Sequence, residues 1–546
     1  MNPKNLLSDK HLNGSALLSA FAIGTVVAFL ATIQVVQGDQ GGGTGIQSLG
    51  PLAGGDGAGV DLAEGESLAV DEAGNLVVVD EEGNVLRSAD GSATGSGSAP
   101  GGAAGGGSSS AGANVGGGGG GSGSGSGGGG CNPGASDTGV TGSAVKLGAT
   151  VAESGIAEGF LGEVRQGMEA VRRRVNNQGG VFCRSLEIKY VDDGWSPDAG
   201  KRALENLVQE GIFAFAVSPS SEGVNAAAAN GPNGTFQKNK VPLVGADGLN
   251  VTQFSDPFIF PVAAATITSV DVMMKDAWDR GMREPAIVFG NGYRFGLEGA
   301  FAANAAYKKL SGKDIPGYSN PLTSAANCSG RFCGIPTDGS YVNQVGVFNT
   351  ACSQGTPCDY MILLLEPASA LKWMARTAGS KAPGDFALGM GGPQPLFTFD
   401  FGKECGDKCN GLRLWTGYNP PIEAYAKQPA VAKFVQELQA VSPSADRFNQ
   451  FTMGGYVGME ALVAALKATG PNLTRAGLVD ALNKMPAVDT GLTASPLAWD
   501  PPGGAAARHA NSRVQAFEIN SREGFTGWKL VKGPTEDPWL GQHTGR

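Results

Sequence analysis

Catalysis needs reactive side chains at workable spacing, and this chain offers few. It contains three histidines, His11, His509 and His543, too few for a histidine-rich metal centre and poorly placed for a triad. GxSxG, P-loop and HExxH patterns are missing from the sequence. Gly290–Gly296 and Gly389–Gly392 contain glycines without the spacing of a phosphate cradle, and read as strand-to-helix turns. The expectation is a protein that is not an enzyme and needs no cofactor or metal. What remains is polar recognition. Ser218-Pro219-Ser220-Ser221 falls between an apolar strand and an Ala-rich helix. Hydroxyls and free N–H groups at a helix start suit a carboxylate or another anion, the alternative being a plain N-cap. Ser220 and Ser221 are better candidates than Ser218. Glu366 ends an apolar strand just before Pro367. An acid there either stabilises the helix dipole or pairs with a ligand cation. Arg172-Arg173-Arg174 shares its helix with Glu163 and Glu169 and reads as a solvated face.

The elements that must position these residues alternate regularly. Val145–Ala149, Leu186–Val191, Phe213–Val217 and Val241–Val244 read as strands. Between them lie helical stretches at Phe160–Asn177 and Ala199–Gln209, with another starting at Val224–Ala229. Ala286–Phe289 followed by Gly296–Leu310, and Tyr360–Leu365 followed by Ala368–Ala378, repeat the theme. Such alternation predicts an α/β fold with parallel sheets covered by helices on both faces. Ligands in such folds bind beyond the carboxyl ends of the strands.

The pieces and their order carry a resemblance. KLGAT is followed by a helix ending Arg174-Val175-Asn176-Asn177-Gln178-Gly179-Gly180-Val181, then LEIKYVDD, then Ser196-Pro197-Asp198. FAFAVSPSS, VPLV, a Tyr293–Gly296 loop, YVGMEA at 456–461 and TGLT at 490–493 come later. From about Ala144 to Gly533 the chain resembles the periplasmic substrate-binding proteins of ABC importers, of the branched-chain amino acid-binding type. The resemblance implies two Rossmann-like lobes joined by three crossovers around a hinged cleft. Lobe one would comprise about 144–265 and 412–495, and lobe two about 266–411 and 496–546. It implies a small-molecule solute, with ABC permease and ATPase subunits as partners. It also implies that the Ser220-Ser221 loop and the Ala246-Asp247 loop contact the ligand, Asp247 either receiving an ammonium or capping a turn. Tyr293 would stack on the ligand, and Trp195 would line the cleft rim. The chain departs from the pattern in one loop. Gln394 stands where amino-acid binders of this type often carry an acid, which casts doubt on a standard branched-chain amino acid unless Asp247 or Glu366 substitutes.

Upstream, the uncharged run Ala16–Val36 is followed by a long Gly/Ser-rich stretch. At 1.5 Å per residue the run spans about 30 Å, enough to cross a bilayer core. Lys4 and Lys10 precede it and Asp39 follows, so residues 1–15 read as a cytoplasmic tail. Val35-Val36-Gln37-Gly38 is not a small-x-small cleavage site, which favours a transmembrane signal anchor at 16–36 over a cleaved signal. Residues 37–143 read as a disordered tether, interrupted at Glu66–Arg87 by a stretch that reads as a small hairpin, either transient structure or a folded module. The domain at 144–546 would then sit outside the cytoplasmic membrane, held by the N-terminal helix. The net charge of −10 and the lack of a basic run argue against nucleic acid. Eight cysteines on the outer side favour disulfides. Proximity suggests Cys328–Cys333, Cys352–Cys358 and Cys405–Cys409, leaving Cys131 and Cys183, which can pair.

Overall fold

The computed structural model describes residues 47–48, 67–70, 76–80, 85–88, 134–246, 251–337, 339–377, 385–423, 425–499, 508–521 and 524–543. The apolar run at 16–36 lies outside them. Among the described residues no helix is long and apolar enough to cross a membrane. The chain divides into two compact units, 1–124 and 125–546.

In the first unit Gln47–Ser48, Ser67–Val70, Leu76–Val79 and Val85–Ser88 form one antiparallel sheet in that order. The stretch read as a small hairpin is thus part of a four-stranded sheet. Gly74-Asn75 and Gly83-Asn84 separate three strands rather than two, so the central strand is paired on both edges and Val78 is fully buried.

The second unit carries two sheets. The first is parallel throughout, in the order Ser185–Asp192, Ala144–Val151, Ala214–Phe215, Leu243–Ala246, Ile259–Pro261. The second runs Cys328–Ser329, Phe332–Ile335, Pro285–Gly290, Tyr360–Leu364, Met390–Gly392, Leu412–Thr416, Arg513–Asn520, Gly527–Glu536. Its middle five strands are parallel, and antiparallel strands close both edges. The side-chain period of two is visible in Pro285–Gly290. Ala286 and Val288 pack into one core cluster, and Ile287 and Phe289 into the cluster on the other face.

The chain leaves the first lobe after Pro261, returns to it after Thr416 as helices that pack on it, and crosses again before Arg513. Leu412–Thr416 therefore belongs to the second sheet, although the sequence placed it in lobe one. Its alternating Leu412 and Leu414 pack into the core cluster of that sheet. The return segment contributes the helix Gln450–Thr469, which packs on Val164–Asn177 of the first lobe. There the contact is close enough that a Cβ on Gly167 would overlap the Thr452 carbonyl. The boundary at 143 shifts as well. The Ser136 hydroxyl donates to Leu473 O at 2.6 Å, and Arg475 N donates to Asp137 at 2.7 Å, so these residues are packed against the domain. The cystines Cys328–Cys333, Cys352–Cys358 and Cys405–Cys409 are formed. Cys183 is disulfide-bonded too, and Cys131 lies outside the described residues.

Candidate functional site

The two lobes meet where strand ends of the first sheet face the helix Arg294–Ser311 of the second. On the first lobe, the turn after Ser185–Asp192 is held by its own acids. Asp192 Oδ1 accepts from Glu153 N at 2.9 Å and Gly194 N at 3.0 Å. Asp193 Oδ1 accepts from Trp195 N at 2.9 Å. Ser196 then caps the helix Pro197–Gln209 through Ala199 N. Gly194 (φ 55°) and Trp195 (φ 60°) both lie in the left-handed region. That is unusual for an aromatic residue and costs backbone strain. The consequence is a Trp195 side chain turned inward, so that the residue is 8 % exposed. The sequence offered Trp195 as a candidate for the cleft rim; the turn buries it between the lobes.

The indole touches both lobes. Its Nε1 donates to Ser221 Oγ at 3.1 Å. Its ring lies on Tyr293 of the second lobe, centroids 4.8 Å apart and planes tilted 35°, and meets Phe160 edge-on at 5.6 Å. Phe451 packs beside Phe160, and Phe295 stacks on Tyr293 at 5.3 Å. Pairs of this kind contribute about 0.5–1.5 kcal/mol each beyond buried area. The space left among Phe160, Trp195, Ser221, Phe295, Pro395 and Phe451 is about 10 Å³, roughly the room one water molecule needs. Hollows of about 230, 370 and 280 Å³ occur elsewhere, none lined by Trp195 or Ser221.

The other polar candidates fall into distinct places. Ser218 Oγ accepts from Thr150 N at 3.2 Å, which ties adjacent strand ends together. Ser220 occupies the N-cap of Ser221–Ala228, yet its hydroxyl makes no cap bond. Both it and the Thr150 hydroxyl are buried beside the Asp193 carboxyl without reaching bonding geometry. Ala246 ends its strand, bridged to Ser218 and accepting from Val262 N. Asp247 lies outside the described residues. Glu366 is fully buried and caps Pro367–Arg376, Oε1 accepting from Ser369 N at 2.9 Å. Its own N–H donates to Tyr293 Oη at 3.4 Å. Gln394 is buried in a short 3-10 turn of the second lobe that abuts Gln450–Thr469 of the first. Ser221, Trp195 and Tyr293 are thus brought together, with Ser220, Glu366 and Gln394 around them.

Glu222 is a partner the sequence reading missed. From the first turn of Ser221–Ala228 it accepts from Arg294 N at 2.9 Å, across the lobes. Burial pushes its carboxyl up to about 7, against the Arg294 hydrogen bond, and Glu298 adds repulsion. A carboxyl raised on folding contributes stability that is complete below its unfolded value near 4.5 and is lost as pH rises through about 7. Discounted for partial exposure, the loss is about 2 kcal/mol. Urea midpoints at pH 5 and pH 8 should therefore differ less in Glu222→Gln than in the unmodified protein. Equal pH slopes for the two proteins would refute this. Asp193, raised to about 6 by burial, titrates in both and cancels from the comparison.

The remaining residues the sequence did not single out are Phe160, Phe295 and Phe451. Phe295, two residues beyond Tyr293, carried the only usable signal; the other two read as ordinary core positions. Comparison with known proteins bears on the whole domain. The sequence profile of the periplasmic binding protein family matches residues 144–329 and 358–523. No curated protein matches. Among solved structures, a fatty acid ABC transporter substrate-binding protein from Thermomonospora curvata is similar at TM-score 0.59 and 17% identity, over 75% of this chain and 97% of that one. A possible leucine/isoleucine/valine-binding protein from Rhodopirellula baltica SH 1 gives 0.58 and 17%, over 71% and 96%. A solute-binding protein of an ABC transporter from R. palustris, in complex with 4-hydroxybenzoate, gives 0.56 and 16%, over 72% and 96%. With its paired α/β lobes and a profile match over most of the domain, the chain belongs to the type I periplasmic binding protein family.

Proposed function

We propose that this protein captures a small solute between its lobes outside the cytoplasmic membrane and delivers it to the permease and ATPase subunits of an ABC importer. One observation carries the reading. Hydroxyls at the start of Ser221–Ala228 and a set of aromatic rings from both lobes converge on one point. Such a surface suits a carboxylate with a flat or apolar body. Two structural relatives are described with ligands of that kind, a fatty acid transporter and a 4-hydroxybenzoate complex. An α-amino acid is a poorer fit. Gln394 offers no charge to an ammonium group and Glu366 is engaged as a helix cap, so that ammonium would depend on Asp247 alone. The protein acts by binding, not by catalysis. Solute that contacts both lobes favours the closed arrangement by its differential affinity. In this proposal residues 16–36 anchor the chain and the Gly/Ser-rich stretch gives it reach.

A second reading is favoured by the roughly 10 Å³ of free space beside Trp195 among the described residues. A cleft filled by its own side chains suits a surface interaction module that no longer takes a solute. A thermal-shift panel of benzoate, 4-hydroxybenzoate, octanoate, leucine, isoleucine and valine separates the two. A ligand at a hundred times its dissociation constant adds about 2.7 kcal/mol of stability. The proposal expects a shift with at least one acid of apolar body. A flat panel on a folded sample would favour the interaction module.

A further inference from the structure

We propose that Trp195 is a resident plug at one point of the interlobe cleft, and that a solute reaches Ser221 and Tyr293 there by displacing its indole. The inference rests on the cleft being the solute site.

Three observations carry it. The backbone at Trp195 is held at φ 60°, a conformation that a bulky residue adopts only when its surroundings enforce it. Here the enforcement is explicit, because Asp192 and Asp193 bind the N–H groups of Gly194 and Trp195 and Ser196 starts the next helix. Next, the indole makes the contacts a bridging ligand would make. It hydrogen-bonds Ser221 at a helix start on its own lobe and stacks on Tyr293 of the other. Finally, among the described residues the indole leaves about 10 Å³ beside Phe160, Ser221, Phe295 and Phe451, so no solute of several heavy atoms fits at that point while it stays. Because hydrogen bonds fix the loop backbone, displacement is a rotation of the side chain and not a remodelling of the loop.

The plug also selects. An incoming solute must replace a stack on Tyr293, an edge contact with Phe160 and a polar contact to Ser221. A planar aromatic acid or a bicyclic ring replaces all three; a small aliphatic amino acid does not. Apparent affinity is reduced by the fraction of molecules in which the indole is out.

The test uses the full-length chain labelled with 5-fluorotryptophan. The chain has seven tryptophans, and the Trp195 resonance is identified by its loss in Trp195→Phe. Indole, benzoate and 4-hydroxybenzoate are the probes. Indole is expected to bind Trp195→Ala at least tenfold more tightly than the unmodified protein and to raise its melting temperature. In the unmodified protein, a bound benzoate is expected to move the Trp195 resonance to its solvent-exposed position. Benzoate binding with that resonance unmoved would overturn the plug. So would equal indole affinity in the two proteins, or a folded Trp195→Ala that takes up no indole. Trp195→Leu, which keeps an apolar side chain, serves the same comparison if the alanine variant does not fold. Indole binding to the variant, with no probe binding to the unmodified protein, would support the plug and sink the solute-delivery reading instead.

Discussion

Tyr293→Ala is expected to lower stability by about 3–5 kcal/mol, the range for removing a large buried aromatic side chain. The ring is 5 % exposed and lies between Trp195 of one lobe and Phe295 of its own. It passes so close to Gly290 that any Cβ there would overlap it. That glycine at the strand end is what lets the ring reach the interlobe space. The backbone around the hole cannot close it, because the Trp195 loop is pinned by Asp192 and Asp193 and Phe295 is carried by its helix. Tyr293→Phe should cost only about 1 kcal/mol, since it removes one long hydrogen bond from Glu366 N. The pair of variants separates packing from the hydroxyl. Urea unfolding supplies the free energies, and small-angle scattering reports whether the lobes part. A loss below about 1 kcal/mol in the alanine variant would mean that the ring does not hold the lobes together.

The interlobe contact follows a consistent logic. Twice, a first-lobe carboxylate meets the N-terminus of a second-lobe helix. Glu222 accepts from Arg294 N, and Asp446 accepts from Phe399 N at 2.7 Å. Helix starts carry unpaired N–H groups and a partial positive charge, so each acid satisfies a donor and complements a dipole at once. Burial raises both carboxyls. The polar part of the interface is therefore sensitive to pH, while its aromatic part is not.

Much of the fold is legible in the sequence, for a physical reason. Buried parallel strands are short apolar runs, and their covering helices are amphipathic. Ala144–Val151, Ser185–Asp192, Pro285–Gly290 and Arg294–Ser311 all fall within a few residues of the reading from pattern alone. The failures are where tertiary pairing decides. Leu412–Thr416 reads as a strand in any sheet, and only its neighbours Met390–Gly392 and Arg513–Asn520 assign it to the second. Phe160–Asn177 is periodic throughout, yet the helix breaks into Glu158–Leu161 and Val164–Asn177. At the site, Ser221 and Tyr293 were found because each follows a strand. Phe160 and Phe451 look like core residues, and core residues they are, until the second lobe is laid against them. The inward turn of Trp195 depends on a left-handed backbone that no periodicity encodes.

Arg184→Ala should lower stability by about 3 kcal/mol, for a purely structural reason. Arg184 is fully buried, and its guanidinium donates to three carbonyls: Thr141 O at 2.8 Å, Gly134 O at 2.8 Å and Pro471 O at 3.0 Å. Two of those acceptors lie within 134–141 and the third at 471, so the guanidinium ties the entering chain to a segment distant in sequence. The residue sits at the end of a tight turn in which Phe182 and Cys183 have positive φ and Cys183 is disulfide-bonded. Removing the side chain takes the donor from three carbonyls on exposed residues, each hydrogen bond contributing about 0.5–1.5 kcal/mol net. Lysine is a poor substitute, because one ammonium on a flexible stem cannot present the planar fork that reaches three acceptors. Arg184→Lys should therefore recover less than half of the loss. The expected signature is a lower urea midpoint together with faster proteolysis within 134–141, where the chain enters the domain. If Arg184→Ala unfolds within 1 kcal/mol of the unmodified protein, the three hydrogen bonds are not what holds that entry point closed, and the packing of Ser136 and Asp137 against 473–475 must do so instead.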